Sequence, residues 1–386
     1  MPGLDVEKPT YMLDEELALF ENTVARFLDK HAAPAQRRSW RENGCVDRDL
    51  WLAAGEAGLL GVSVPAEFGG HGGDFRHEAV LIRQLGIKHA GSFALPLHNA
   101  VVAPYLVSYA SEAQRRRWLP SVVRGETVLA VAMTEPSAGS DLQAIRTTAT
   151  RDGDRYRING QKTFISNGLH ADLVIVAAKT DASAGAKGVS LFLVEASSPG
   201  FRRGALLDKL GQEGRDTTEL FFDDVIVPAE NLLGGQEGTG FRMLMEKLPQ
   251  ERMVIALQSL AMIEAALETT IGYAKERTAF GRRLIEFQNT QFKLAECKTS
   301  ATVARVFVDH CVGLLLQGRL DAATASMAKL WVSEAQGKIV DECLQLHGGY
   351  GYMTEYPIAE MYKDARVARI YGGTSEIMKL IIARSL

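Results

Sequence analysis

The sequence predicts an α+β chain of three regions: an all-helical N-terminal domain, a central antiparallel β-barrel domain, and a C-terminal domain built as a helical bundle. Three observations predict it. Apolar residues recur at three- and four-residue spacings as far as about residue 124; short runs rich in Val, Ile, Phe and Thr take over at Gly125; long helical periodicity returns after the glycine-rich stretch Gly234 to Gly240. The expected domains are 1–124, 125–236 and 237–386.

In the first region, Leu13, Leu17, Phe20, Val24, Phe27 and Leu28 mark one face of an amphipathic helix over residues 13–31. Arg48 to Glu56, His77 to Gly86 and Glu112 to Val123 read as further helices, with the glycines at 69–73 among the spacers. In the second region the strand candidates are Val128 to Thr134, Tyr156 to Ile158, Lys162 to Ser166, Leu173 to Ala178, Val189 to Glu195 and Glu219 to Phe222. Asn159-Gly160, between two of these runs, predicts a hairpin turn. No helices alternate with the strands, so a parallel dinucleotide-binding sheet is excluded. In the third region, Phe241 to Lys275, Asn289 to Gln317 and Asp321 to His347 predict long bundle helices, followed by shorter ones near Ile358 to Arg369 and Ser375 to Arg384.

Composition narrows the function. The chain has 386 residues, 43 Lys+Arg against 47 Asp+Glu and a net charge of −4, so no global positive field would gather nucleic acid. Cys45, Cys297, Cys311 and Cys343 form no Cys-x-x-Cys pair, and Cys343 with His347 has no second pair to complete a metal site, so no metal is expected. No basic leader precedes an apolar stretch and no apolar run approaches about 20 residues, so a cytoplasmic protein without a membrane span is expected, or a matrix one if the chain is a processed form. Gly-x-Gly-x-x-Gly, Walker A, Gly-x-Ser-x-Gly and His-Glu-x-x-His motifs are all absent.

One loop stands out. Thr134-Glu135-Pro136-Ser137-Ala138-Gly139-Ser140-Asp141 presents hydroxyls, small residues and backbone donors, which suit the acceptor-rich edge of a flavin ring; it suits an ordinary strand-ending turn with Asp141 as a cap equally well. Lys162 to Gly168 reads both ways too. Together with Glu276-Arg277-Thr278-Ala279-Phe280-Gly281, Gln345-Leu346-His347-Gly348-Gly349-Tyr350-Gly351 and Tyr371-Gly372-Gly373-Thr374, these blocks resemble the acyl-CoA dehydrogenases over nearly the whole chain, in the family's order.

The resemblance implies FAD as cofactor, α,β-dehydrogenation of an acyl-CoA in fatty-acid β-oxidation, electron-transfer flavoprotein as acceptor, and a homotetramer built as a dimer of dimers. It implies that Met133, Thr134, Ser140, Phe164 and Ser166 lie along the flavin, Phe164 with an aromatic face where many relatives have Trp. Arg277, Phe280, Gln288, Gln345, Gly348 and Gly349 would meet the FAD of a neighbouring subunit, and Thr374 and Glu376 would complete the site. Ser140, Arg242, Arg252, Gly372 and Gly373 would contact substrate.

In many relatives the catalytic Glu precedes the Gly of a Tyr-Glu-Gly-Thr turn; here that position is Gly372. The long-chain and isovaleryl branches carry the Glu on a bundle helix before an Arg, which Leu248-Pro249-Gln250-Glu251-Arg252-Met253 resembles. Glu251 is therefore the expected base, with Leu248, Val254 and Ile255 as apolar helical neighbours. Ion pairing of Glu251 with Lys247 or Arg252 is the competing structural role. An oxidase or monooxygenase on the same fold, or a non-catalytic acyl-CoA or flavin-binding subunit, are the alternatives, the last kept open by Gly372.

Overall fold

The computed structural model describes Leu4 and residues 6–386; the rest of the N-terminal stretch read for a leader lies outside the described residues. The N-terminal helices are α1 (Glu15–His31), α2 (Pro34–Asn43), α3 (Arg48–Glu56), α4 (Phe75–Ile87), α5 (Ala103–Tyr109) and α6 (Glu112–Val123). Local chemistry fixes their starts. Asp14 accepts from the Glu16 amide ahead of α1, and Ser111 and Gln114 form a reciprocal capping box at α6. The helix α2 escaped the periodicity because only Trp40 is buried on it; Pro34 at its first position starts it. A π-helical segment, Leu97–Val102, runs directly into α5.

The β-domain holds β1 (Leu129–Ala132), β2 (Thr148–Asp152), β3 (Arg155–Ser166), β4 (Leu173–Lys179), β5 (Val189–Glu195), β6 (Phe201–Leu206) and β7 (Thr217–Pro228). The strand order is β1-β4-β2-β3-β7-β6, with β5 also on β4. Most pairs are antiparallel, but β1 and β2 both lie parallel to β4, which the run of turn signals did not reveal. β4 and β5 are buried almost throughout, and Val174, Val176, Phe192 and Val194 join the sheet core.

Asn159-Gly160 is not a hairpin turn. It lies inside the continuous strand β3, at a register shift against β7 between Ile158 and Gly160. The Asn159 side-chain amide donates to Asp224 Oδ1 and its Oδ1 accepts from the Asp224 backbone amide, and a Cβ at Gly160 would strike Thr147. The pair serves a β-bulge and a close backbone approach instead. The hairpin joining β2 to β3 turns six residues earlier, at Gly153 and Asp154, between the paired Asp152 and Arg155.

The C-terminal helices are α7 (Gly240–Glu276), α8 (Gln288–Leu316), α9 (Ala322–His347), α10 (Pro357–Ala365) and α11 (Ser375–Ala383). The first three pack on one another, α10 and α11 lie on α9, and α4 from the N-terminal helices lies along α7. The small hairpin of β8 (Thr278–Ala279) and β9 (Arg282–Arg283) separates α7 from α8. By length and composition α7 and α8 would each suffice to cross a membrane, against the expectation of no such segment; α7, however, is mostly buried inside the protein. Its 37 residues face both the bundle core and the N-terminal helices, which is why its apolar residues do not form one stripe.

Candidate active site

The end of β1 and the bulged end of β3 form the first constellation. The Thr163 amide donates to the Thr134 carbonyl at 2.9 Å, and Lys162 Nζ donates to the Met133 carbonyl at 3.0 Å, so the loop leaving β1 is tied to β3. Under it lies a buried ion pair, Lys162 Nζ to Glu135 Oε1 at 2.8 Å, and Glu135 also accepts from the Arg146 and Thr147 amides. Burial drives the Lys162 ammonium down to about 8, against the pull of Glu135. A second register shift, between Lys162 and Ile165, sets Phe164 at φ 60 and turns its ring outward, 67% exposed. Thr134 and Ser166 are half-buried beside this surface and Ser140 is exposed farther along the loop.

The second constellation surrounds Glu251 on α7. Its carboxylate is 7% exposed and accepts at Oε1 from the Tyr105 hydroxyl of α5 at 2.7 Å. Burial raises Glu251 to about 7, although the Tyr105 hydrogen bond and the charges of Arg252 and Lys247 pull the other way. The ion pairs considered for it do not form. Lys247 donates instead to Ser108 Oγ at 2.6 Å, and Arg252 donates to Ser326 Oγ of α9 at 3.2 Å, its Nε left without a partner.

One turn further along α7, Ile255 meets the loop that carries Gly372: a Cβ there would collide with the Ile255 δ-methyl, and Gly372 sits at φ 63. Lys329 of α9, fully buried, donates to the Gly373 carbonyl at 2.6 Å and is pushed down to about 8, chiefly by burial and then by Arg252. Glu251, Arg252, Gly372 and Gly373, spread over more than a hundred residues of sequence, are thus gathered around one stretch of α7.

The remaining candidates are scattered over other surfaces. Arg277, Gln345, Gly348 and Gly349 line an open depression of about 450 Å³, with the Arg277 guanidinium over the Tyr350 ring. Phe280, at the turn of the β8–β9 hairpin, is 95% exposed, and Gln288 opens α8 on the surface. Thr374 caps α11 by accepting from the Ile377 amide, and Glu376 is exposed in its first turn. Arg242 is exposed and paired with Glu246 at 2.6 Å.

Sequence reasoning missed Tyr105, Lys329 and the Glu135–Lys162 pair. Tyr105 and Lys329 gave no motif to find. Glu135 and Lys162 lay within two of the quoted stretches, but with Thr134, Gln161 and Thr163 as neighbours nothing marked them as buried.

Comparison with known proteins gives this geometry its context. Residues 14–126, 130–225 and 238–386 match the family descriptions "Acyl-CoA dehydrogenase, N-terminal domain", "middle domain" and "C-terminal domain". The long-chain specific acyl-CoA dehydrogenase of Sus scrofa mitochondria is 45% identical over 97% of this chain and 87% of its own length. The crystal structure of an acyl-CoA dehydrogenase from Geobacillus kaustophilus superposes with a TM-score of 0.94 at 47% identity, covering 97% and 98% of the two chains. A glutaryl-CoA dehydrogenase from Mycobacterium smegmatis, solved in complex with FADH2, matches with a TM-score of 0.90 at 29% identity, covering 97% and 95%. The chain belongs to the acyl-CoA dehydrogenase family.

Proposed function

We propose that the chain dehydrogenates a linear medium- to long-chain acyl-CoA to the trans-2-enoyl-CoA, with Glu251 removing the α-proton. The observation that carries this reading is a carboxylate buried on α7 and raised to about 7, one helical turn before Ile255, which packs against the turn where Gly372 has no side chain to offer. Burial makes Glu251 a stronger base than a solvated carboxylate, while its value near neutrality keeps a useful fraction ionised. The resemblance of the Glu251 segment to the long-chain branch, and the Sus scrofa relative, support the chain-length part of the reading.

The family is FAD-dependent, and the residues at the end of β1 and β3 fit such a group. An outward-turned aromatic ring at Phe164, flanked by the half-buried Thr134 and Ser166, suits a planar ring with a polar edge, and the Glu135–Lys162 pair holds the loop beneath it in place. FAD, when bound, supplies the two-electron oxidant for the β-hydrogen. The chain's own contribution is to hold the acyl group, to exclude water and to take the α-proton on Glu251.

Electron-transfer flavoprotein as acceptor and a tetrameric assembly complete the proposal; the exposed Phe280, with Phe292, Val303 and Val306 on α8, supports a covered surface there. The test is anaerobic mixing of FAD-loaded enzyme with acyl-CoAs of graded length and branching. Wild type should bleach fastest with linear medium or long chains and Glu251→Gln should not bleach. Bleaching of Glu251→Gln at the wild-type rate refutes the base.

A further inference from the structure

The helix α5 is stitched onto the first turns of α7 by an antiparallel series of polar contacts. Gln250 Nε2 donates to the Ala100 carbonyl of the π-helical segment at 2.8 Å, Tyr105 to Glu251 at 2.7 Å, Lys247 to Ser108 at 2.6 Å, and Tyr109 to Glu246 at 2.6 Å. Among the four, the Tyr105–Glu251 bond alone lies between two buried side chains. The π-helical turn just ahead of α5 also sets the rotation at which Tyr105 is presented, and such turns recur at functional sites.

Resting on the assignment of Glu251 as base, we propose that Tyr105 is its positioning residue: the phenol pins Oε1 and leaves Oε2 to take the α-proton. A glutamate's terminal torsion is broad, so a single donor on one oxygen is what fixes the plane of the carboxylate. Among the described residues Oε2 accepts no hydrogen bond. A phenol donating to a carboxylate favours the ionised form, and here it opposes the burial that favours the neutral one. Tyr105 itself keeps its proton, since burial first and the neighbouring Glu251 second hold its hydroxyl well above the ordinary tyrosine value. The other titratable groups around the base are Lys247, Arg252 and Glu246 on α7, Tyr109 on α5, and Lys329 on α9 beyond Arg252.

The experiment uses the FAD-loaded full chain as wild type, Tyr105→Phe, Tyr109→Phe and Glu251→Gln. Anaerobic flavin reduction by one acyl-CoA is followed from about pH 5.5 to pH 9. In Tyr105→Phe the acid limb should move upward by about one pH unit, and the rate at pH 7 should fall at least about fivefold with substrate affinity nearly unchanged. Tyr109→Phe, which loses an equivalent contact to Glu246, should keep the wild-type limb. Replacement of Tyr105 by 3-fluorotyrosine, a stronger donor of nearly the same shape, should move the limb downward, and it reads the same effect should the phenylalanine variant fold poorly. An unmoved limb in Tyr105→Phe or in the fluorinated protein, or an equal shift in Tyr109→Phe, overturns the proposal. Glu251→Gln separates the two levels. If it reduces flavin at the wild-type rate, the base assignment fails; if it is silent while the limb stays put in Tyr105→Phe, only the role of Tyr105 fails.

Discussion

Replacing Glu135 with Leu should be the most destabilising single change in the β-domain. The substitution leaves Lys162 and the Arg146 and Thr147 amides without their shared acceptor; Lys162 and Thr147 are buried, whereas Arg146 is exposed. Lys162, already down at about 8, can escape by releasing its proton at pH 7, which costs about 1.4 kcal/mol for that one unit. The stranded, buried Thr147 amide costs about 1–3 kcal/mol, while the Arg146 amide, on an exposed residue, can turn to water. The expected loss is therefore about 2–4 kcal/mol at pH 7. The pH dependence has a definite sign. The folded-state value of Lys162 lies below that of the unfolded chain, so the unfolded chain binds more protons between about pH 8 and pH 10.4, and the Lys162 contribution eases as pH rises. Urea unfolding of Glu135→Leu should thus show a deficit about 1.4 kcal/mol smaller at pH 9 than at pH 7. Because Lys162 also holds the Met133 carbonyl, the variant should lose FAD more readily. A variant within about 1 kcal/mol of wild type at pH 7 would refute the reasoning.

Three further outcomes follow from the site. With the base raised to about 7, flavin reduction in the wild type should fall about tenfold for each pH unit below that value, and a flat rate down to pH 5 would contradict it. The same shift makes Glu251 a burden to the fold. Its folded-state value exceeds the unfolded one, so stability is lost as pH rises from about 4.5 to 7, and Glu251→Gln should gain up to about 3 kcal/mol in urea unfolding at pH 8 but little at pH 4.5. Gly372→Glu meets a left-handed backbone and the Ile255 methyl, so it should cost about 2 kcal/mol alone and restore bleaching to Glu251→Ala only when Ile255→Ala is added; full rescue without that change would count against the packing described.

The three-region order and most helices were legible because each rests on local periodicity that tertiary packing then used. The helices α3 and α6 and strand β5 fall on the expected residues, whereas β2 and β6, with mostly exposed residues, left too weak a pattern. Asn159-Gly160 misled because a turn dipeptide and a bulge need the same permissive backbone, and only the register against β7 tells them apart. The burial of Glu251 was legible through its apolar neighbours Val254 and Ile255. Its partner was not: Tyr105 comes from a helix 146 residues earlier, set in register by a π-helical turn that no composition rule marks. The Glu135–Lys162 pair hid in plain view, since charge within a quoted block reads as surface until burial is known.

The seam between α5 and α7 joins the N-terminal helices to the bundle across 146 residues of sequence, so Glu251 keeps its buried, hydrogen-bonded state only while the two stay docked. A local opening that lifts the N-terminal helices off the bundle would wet Glu251 and return it toward an ordinary, weakly basic carboxylate without disturbing the bundle itself. If Glu251 is the base, docking of the N-terminal helices then doubles as an assembly check, since its basicity depends on the packing of both domains.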